Sequence, residues 1–444
     1  MISGSDNLAM RRMIILRMRN LLTDTKDIKK SSYIWNVIAY TGNSFQSMLL
    51  LLVISRQGNM TDAAMFSIAF TAANMLLYIG KYAVRNYQVS DVQMEYTYGD
   101  YMYARVVTMS GMILASVFYL AFCYLNKDYS ADKIICVILM LGPRFLETAE
   151  DVLHGDLQKH GRLDIASKIW AIRTWGYIIC FAVLYWLTDS IVAAAGGSLL
   201  VSTVVCVLLN YTVRGLFPKD MIHEWGKVRM LLKNCFPLAV STFTVVYMSN
   251  SPKYTVDAVF TSEEQACFNI VFMPVFVISL LGNYIYNPIV KSLASLWKDK
   301  QISKIKRIMY RQTMILVLFA GVVALFGKWF GVRLLGLVYK VTLDHYETEF
   351  VLLMLAGGAL AVFNFLVVIS TVIRKQRILL YISVVFSLIL LLGNKIMLLH
   401  WGIKCMCLFY ALVMTGMTVV TFLLDIRYVN AGSGGETRNV KKYY

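Results

Sequence analysis

The sequence predicts an all-α polytopic membrane protein, with twelve transmembrane helices in two parallel-repeat six-helix lobes around a central cleft. Three observations carry that expectation: an apolar composition, apolar runs of membrane-spanning length, and cations that gather on alternate loops. Of 444 residues, 58% are hydrophobic and 16% charged, and the mean hydropathy is +0.61. Soluble domains average about 45–50% apolar and about 25% charged. A run of about 20 apolar residues crosses a ~30 Å hydrocarbon core, where only helices or closed barrels satisfy the backbone. The stretch TMILVLFAGVVALFGKWF is continuous rather than alternating, which predicts a helix and not a barrel strand.

Apolar windows between charged breaks place the spans at roughly 33–54, 62–82, 104–125, 132–150, 168–187, 191–212, 235–260, 265–290, 312–332, 349–372, 378–398 and 402–424. LGPRFLETAEDV and GNYIYNPIVK make the fourth and eighth the least clean. With the N-terminus inside, 34 of the 43 Lys and Arg residues fall on the cytoplasmic side, which fixes the expected hand. The net charge of +17 therefore reads as topology and contact with anionic lipids rather than as a nucleic-acid site. The expected organisation is a cytoplasmic segment 1–31, an N-lobe 32–213, a cytoplasmic linker 214–233, a C-lobe 234–425 and a cytoplasmic tail 426–444.

Residues 1–30 lack an apolar core, which predicts no cleavable signal peptide. The eight cysteines fall almost entirely within spans, and Cys405 with Cys407 forms CxC, so reduced thiols are expected. There is no Walker-type phosphate loop and no HExxH pair, and His154, His160, His223, His345 and His400 are scattered. No catalytic residue, metal or cofactor is therefore assigned.

Two segments align without gaps at an offset of 202 residues. Ala64, Phe66, Ile68, Phe70, Gly80 and Tyr82 meet Ala266, Phe268, Ile270, Phe272, Gly282 and Tyr284, and Asp62 meets Glu264. These are spans two and eight, so the halves run parallel, as in alternating-access transporters with a midplane site between bundles. A duplicated scaffold without cargo is the other reading.

NSPKYTVDAVFTSEEQACFNIVFMP (250–274) resembles the polysaccharide flippases of the multidrug/oligosaccharidyl-lipid/polysaccharide exporter superfamily, and EDVLHGDLQKHGRLDIASK (150–168) is similar to that family's Gly-x-x-Gln-x-x-x-Arg connection. The resemblance implies the twelve-helix flippase fold in a bacterial plasma membrane. Its implied cargo is an undecaprenyl-pyrophosphate-linked oligosaccharide, moved for polysaccharide biosynthesis alongside a polymerase and other assembly proteins. Lys253 stands where many relatives carry Arg, which keeps the charge but loses the planar fork. A drug or organic-cation antiporter of the same superfamily, and a non-transporting scaffold of a glycan-assembly complex, are the alternatives.

A charge near the bilayer centre costs about 2.5–3.5 kcal/mol on the lenient scale, so it should face a cavity or a partner. Lys253 and Asp257 are four apart after Pro252 and are expected to pair, with a kink exposing carbonyls and Asn250. Lys253 then serves as counter-charge for pyrophosphate, or the pair only fixes packing. Lys81 and Arg85 form a second four-residue pair at the inner end of span two, either for loading cargo or as topology anchors. Asp257, Glu147 and Asp151 are candidates for a coupling H+ or Na+. Glu147, Glu150 and Asp151 also have a second reading, as partners of cations such as Arg162 and Arg173. Tyr247 and Tyr254 are candidates for stacking on sugar rings. Asn36, Asn43 and Gln46 supply hydrogen-bonding groups to a cleft or between helices.

Overall fold

A computed structural model describes residues 16–431, apart from 92–93, 127–128, 287–288 and 374. Arg11 and Arg12 of the cationic leader, and the tail beyond 431, lie outside the described residues. All regular structure among the described residues is helical. Ten helices are long and apolar enough to cross a membrane. The longest of these, α15 (Gln376–Ala431), breaks at Gly402 with φ 81° into two. The 29-residue α5 (Ala131–Lys159) is long enough but carries Arg144, Glu147, Glu150 and Asp151. Counting both, the described residues hold the twelve spans of a polytopic membrane protein.

The chain divides at Ala239/Val240 into two compact units. The first contains α1 (Ile28–Arg56), α2 (Met60–Lys81), α3 (Val84–Ser90), α4 (Tyr98–Asn126), α5, α6 (Leu163–Thr188) and α7 (Ile191–Val213). Four of these helices start on a side chain that accepts an otherwise orphaned N–H: Asp27, Asn59, Ser130 and Ser190. Helix α5 is the hub, packed on α2, α4 and α7, while α1 lies along α6. Gly80 lets α2 approach α5: a Cβ there would lie 2.6 Å from Met112 Sδ and 3.0 Å from Thr148 Cγ2.

The second unit contains the rest of α8 (Trp225–Asp257), then α9 (Ser262–Phe272), α10 (Pro274–Tyr286), α11 (Val290–Lys298) and α12 (Ile302–Phe326). A π-turn, Gly327–Gly331, leads to α13 (Val332–Tyr339), followed by α14 (Glu347–Val372) and α15. Span eight is interrupted between α9 and α10 because Pro274 has no N–H for Ile270; Met273 N bonds that carbonyl instead, at 3.2 Å. Helix α10 packs on α14 as α2 packs on α5. A Cβ on Gly282 would lie 2.8 Å from Ala361 Cβ of α14, so the glycines at the 202-residue offset each admit the fourth helix of their own unit. Gly357 repeats the device from the other side, since a Cβ there would sit 2.9 Å from Val275 Cα.

The helix carrying Pro252 is not interrupted there: α8 is helical from Trp225 to Asp257. Pro252 cannot donate to Met248, four residues back, and the Ser251 hydroxyl donates to that carbonyl at 3.1 Å in its place. Asn250 does not open into freed carbonyls either; its Nδ2 donates to Val246 O at 3.0 Å. None of the eight cysteines forms a disulfide, and Cys180, Cys267 and Cys405 are only half-buried.

Because backbone blocks the space at Gly357, a side chain there must push α10 and α14 apart. Gly357→Val should cost about 1–3 kcal/mol by overpacking, read as a lower thermal-unfolding midpoint of the purified protein in detergent. Gly176→Ala, at a site open around its Cβ position, should leave the midpoint unchanged.

Candidate functional site

The first unit holds a buried ionic network organised along one side of α5. Glu147 and Asp151, four apart, face the end of α2 and the start of α3. Glu147 Oε1 accepts from Lys81 Nζ at 2.6 Å, and its Oε2 accepts from Arg144 Nη1 at 3.0 Å. Asp151 Oδ2 lies 2.5 Å from Arg105 Nη2, and Oδ1 lies 3.6 Å from Arg85 Nη1. Each acid thus has one deeply buried arginine and one cation nearer the surface. The Arg105 and Arg144 side chains are 2% and 5% exposed, against 29% for Lys81 and 27% for Arg85.

Backbone geometry aims those two outer cations. Lys81 and Arg85 do not share a regular helix, because Tyr82 and Ala83 between them adopt left-handed φ of 46° and 56°. Successive non-glycine residues in that region are costly and persist where their surroundings hold them. Arg105 also donates to the Gly80 carbonyl at the end of α2, tying that turn to the network. Arg85 completes its contacts on Gln158 Oε1 at 2.9 Å.

The remaining members extend the network across the unit. Arg144 Nη2 donates to Gln46 of α1 at 3.0 Å, and its guanidinium lies 4.8 Å from the Phe70 ring centroid. Glu150 takes Arg173 Nε at 3.0 Å on one oxygen and Asn210 Nδ2 at 3.1 Å on the other. Asn210 Oδ1 in turn meets His154 Nε2 at 3.1 Å. The pairing of α5 acids with Arg173 is as the sequence suggests; Arg162 instead binds Asp164, at 3.0 Å. Five Lys and Arg side chains therefore share this network with three carboxylates, a surplus of positive charge.

The second unit holds Lys253, 5% exposed. The expected Lys253–Asp257 ion pair is not formed. Lys253 Nζ lies 5.4 Å from the ring centroids of both Phe272 and Phe276, a cation–π setting supplied by α9 and α10. The Asp257 carboxylate points to Gln265, accepting from Nε2 at 3.0 Å. Asp257 is therefore not the resting partner of Lys253. Tyr254 stacks on Tyr247 with centroids 5.9 Å apart and planes 6° from parallel. Asn43 is half-buried on α1. Arg105 and Asn210 were not legible as site residues: they stand alone in their segments, and only the packing of α4 and α7 on α5 brings them to its acids. No group of three or more His, Cys, Asp or Glu side chains among the described residues could hold a metal.

Removing one partner of the Arg173–Glu150 pair leaves a buried charge alone, which costs about 3–5 kcal/mol. Arg173→Ala should lower the unfolding midpoint in detergent sharply, and Arg173→Ala combined with Glu150→Gln should recover most of that loss.

Neither family models nor curated proteins match this sequence. Solved structures do. An outward-facing multidrug resistance transporter of the MATE family, in the MOP superfamily, is 15% identical, with a TM-score of 0.58 over 94% of this chain and 99% of its own. The inward-facing conformation of such a transporter is 12% identical and gives 0.60 over 96% and 99%. A MOP superfamily transporter from Pyrococcus furiosus, whose reversed binding-pocket polarity suggests a different function, is 15% identical and gives 0.57 over 94% and 99%. At such identity the likeness defines architecture: this chain has the fold of MOP-superfamily transporters along nearly its whole length.

Proposed function

We propose that the protein is a flippase for lipid-linked oligosaccharides, moving undecaprenyl-pyrophosphate-bound repeat units across a bacterial plasma membrane by alternating access, for polysaccharide biosynthesis. Both termini are cytoplasmic in this reading, and an ion gradient or the membrane potential drives the cycle. The observation that carries it is the surplus of cations in the first unit's network: five Lys and Arg side chains, three of them buried, against three acids on α5; in the second unit, Lys253 lies among rings rather than acids. Charge of that sign suits a diphosphate and repels an organic cation.

The network also explains how a cation can be released to cargo. Lys81 and Arg85 can turn away from α5 towards an anion, because Glu147 keeps Arg144 and Asp151 keeps Arg105. Neither acid is then left buried and unpaired, so the penalty for an orphaned charge is avoided. Stacked Tyr247 and Tyr254 offer aromatic faces to sugar rings, and the polyprenyl tail stays in lipid, since burying the polar head group is the costly step. The polymerase and other assembly proteins of the pathway would receive the product.

One observation favours a second reading, an antiporter of drugs or other organic cations: the structural neighbours include multidrug transporters. Reconstitution decides between them. Purified protein in proteoliposomes should flip a labelled polyprenyl-diphosphate glycan and should show no uptake of organic cations. Lys81→Ala with Arg85→Ala, and separately Lys253→Glu, should slow flipping at least about tenfold, the equivalent of ~1.4 kcal/mol. Unchanged flipping in these variants would remove the cations from the mechanism, and organic-cation exchange by the wild type would favour the antiporter.

A further inference from the structure

Most buried acids among the described residues have a cation, an amide or a helix start to face. Asp425 has none of these among them. It lies near the end of α15, 3% exposed, where Oδ1 accepts from the Ser370 hydroxyl of α14 at 2.6 Å. Its Oδ2 is buried without a hydrogen-bond partner among the described residues. The surfaces flanking the pair are apolar: Leu366 and Ile369 on α14, Ile373 just after it, and Phe422, Ile426 and Val429 on α15.

Among the described residues, the titratable and charged groups around the pair do not compensate it. Tyr286 of α10 packs on Phe365, and Tyr310 of α12 packs on Phe422. Lys375, in the turn after α14, lies 5.3 Å from the Tyr428 ring centroid. Arg307, Arg311 and Arg427 are exposed. No ion pair to Asp425 forms among the described residues. Glu349 is the informative contrast: its Oε2 is also unpartnered, but it sits in the first turn of α14, where free N–H groups favour a carboxylate.

An ionised carboxylate held by one hydroxyl in such surroundings is penalised by several kcal/mol, while a neutral carboxylic acid is not. We infer that Asp425 is a proton-binding site, held by Ser370, and that its proton is the ion coupled to transport. The proton sits on Oδ2 while the site is dry. It passes to water when this end of the second unit opens, and is regained from the opposite aqueous phase before the site closes. This rests on the transporter reading above and supplies its coupling ion.

The test uses the full chain in two arms. Infrared difference spectra on pH jumps around neutrality need no cargo; they should show the carbonyl band of a protonated carboxylic acid, lost in Asp425→Asn and retained in Ser370→Ala. In proteoliposomes, flipping of the labelled polyprenyl-diphosphate glycan should respond to an imposed pH gradient in the wild type, and Asp425→Asn should lose that response while flipping without a gradient. A band that persists in Asp425→Asn, or an unchanged response to the gradient, overturns the inference. Absence of flipping by the wild type sinks the cargo instead, and the infrared arm still decides the proton site.

Discussion

Burying charge in a medium that solvates it poorly is the constraint from which the first unit is built. Helix α5 carries one arginine and three carboxylates in eight residues, each of which would be prohibitive alone in hydrocarbon. Their stabilisation comes from every direction: Gln46 on α1, Lys81 at the end of α2, Arg105 on α4, Arg173 on α6 and Asn210 on α7. The same contacts that neutralise α5 therefore fix the arrangement of its neighbours. A helix bundle in lipid lacks a strong hydrophobic drive to associate, so a satisfied polar network of this kind supplies geometric specificity that greasy contacts alone would not.

The internal repeat makes that specialisation visible. Glycines at the same register, Gly80 and Gly282, bring the second helix of each unit against the fourth, so the packing scheme is held in common. The chemistry is not. Where α5 is charged, its counterpart α14 is apolar through Leu353, Met354, Ala356, Leu360 and Phe363 and approaches its neighbour closely at Gly357. The second unit instead isolates single polar groups: Lys253 under two phenylalanines and Asp425 on one serine. One unit thus stores many mutually compensated charges, and the other a few whose charge state depends on what reaches them.

How much of this could be read from sequence follows from the range of the interactions involved. Apolar runs and cation placement are local or periodic signals, and they yielded the twelve spans, including the split of α15 at Gly402. The acids of α5 were legible as expensive, and Arg173 as a partner of one of them. Arg105 was not, because its partner Asp151 lies 46 residues away and nothing near Arg105 marks it. The Lys253–Asp257 spacing suggested a pair that packing overrode: α9 places Gln265 beside Asp257 and aromatic rings beside Lys253. Four-residue spacing on a helix permits contact but does not compel it when neighbouring helices offer alternatives.

The Pro252 turn shows how a helix stays continuous through a proline. A proline removes one donor and strains the turn before it, yet the chain places serine immediately ahead, and its hydroxyl reaches the carbonyl left without a partner. In lipid such a substitution of side chain for backbone keeps a helix continuous where an unsatisfied carbonyl would cost several kcal/mol. Continuity has a consequence for Lys253, the next residue: carried on an intact helix, its ammonium sits against Phe272 and Phe276, which flank the interruption at Met273–Pro274 between α9 and α10. The helix that carries the lysine is continuous, and the aromatic segment beside it is the interrupted one. A change at the α9–α10 junction would therefore alter the environment of the lysine without moving the lysine's own backbone.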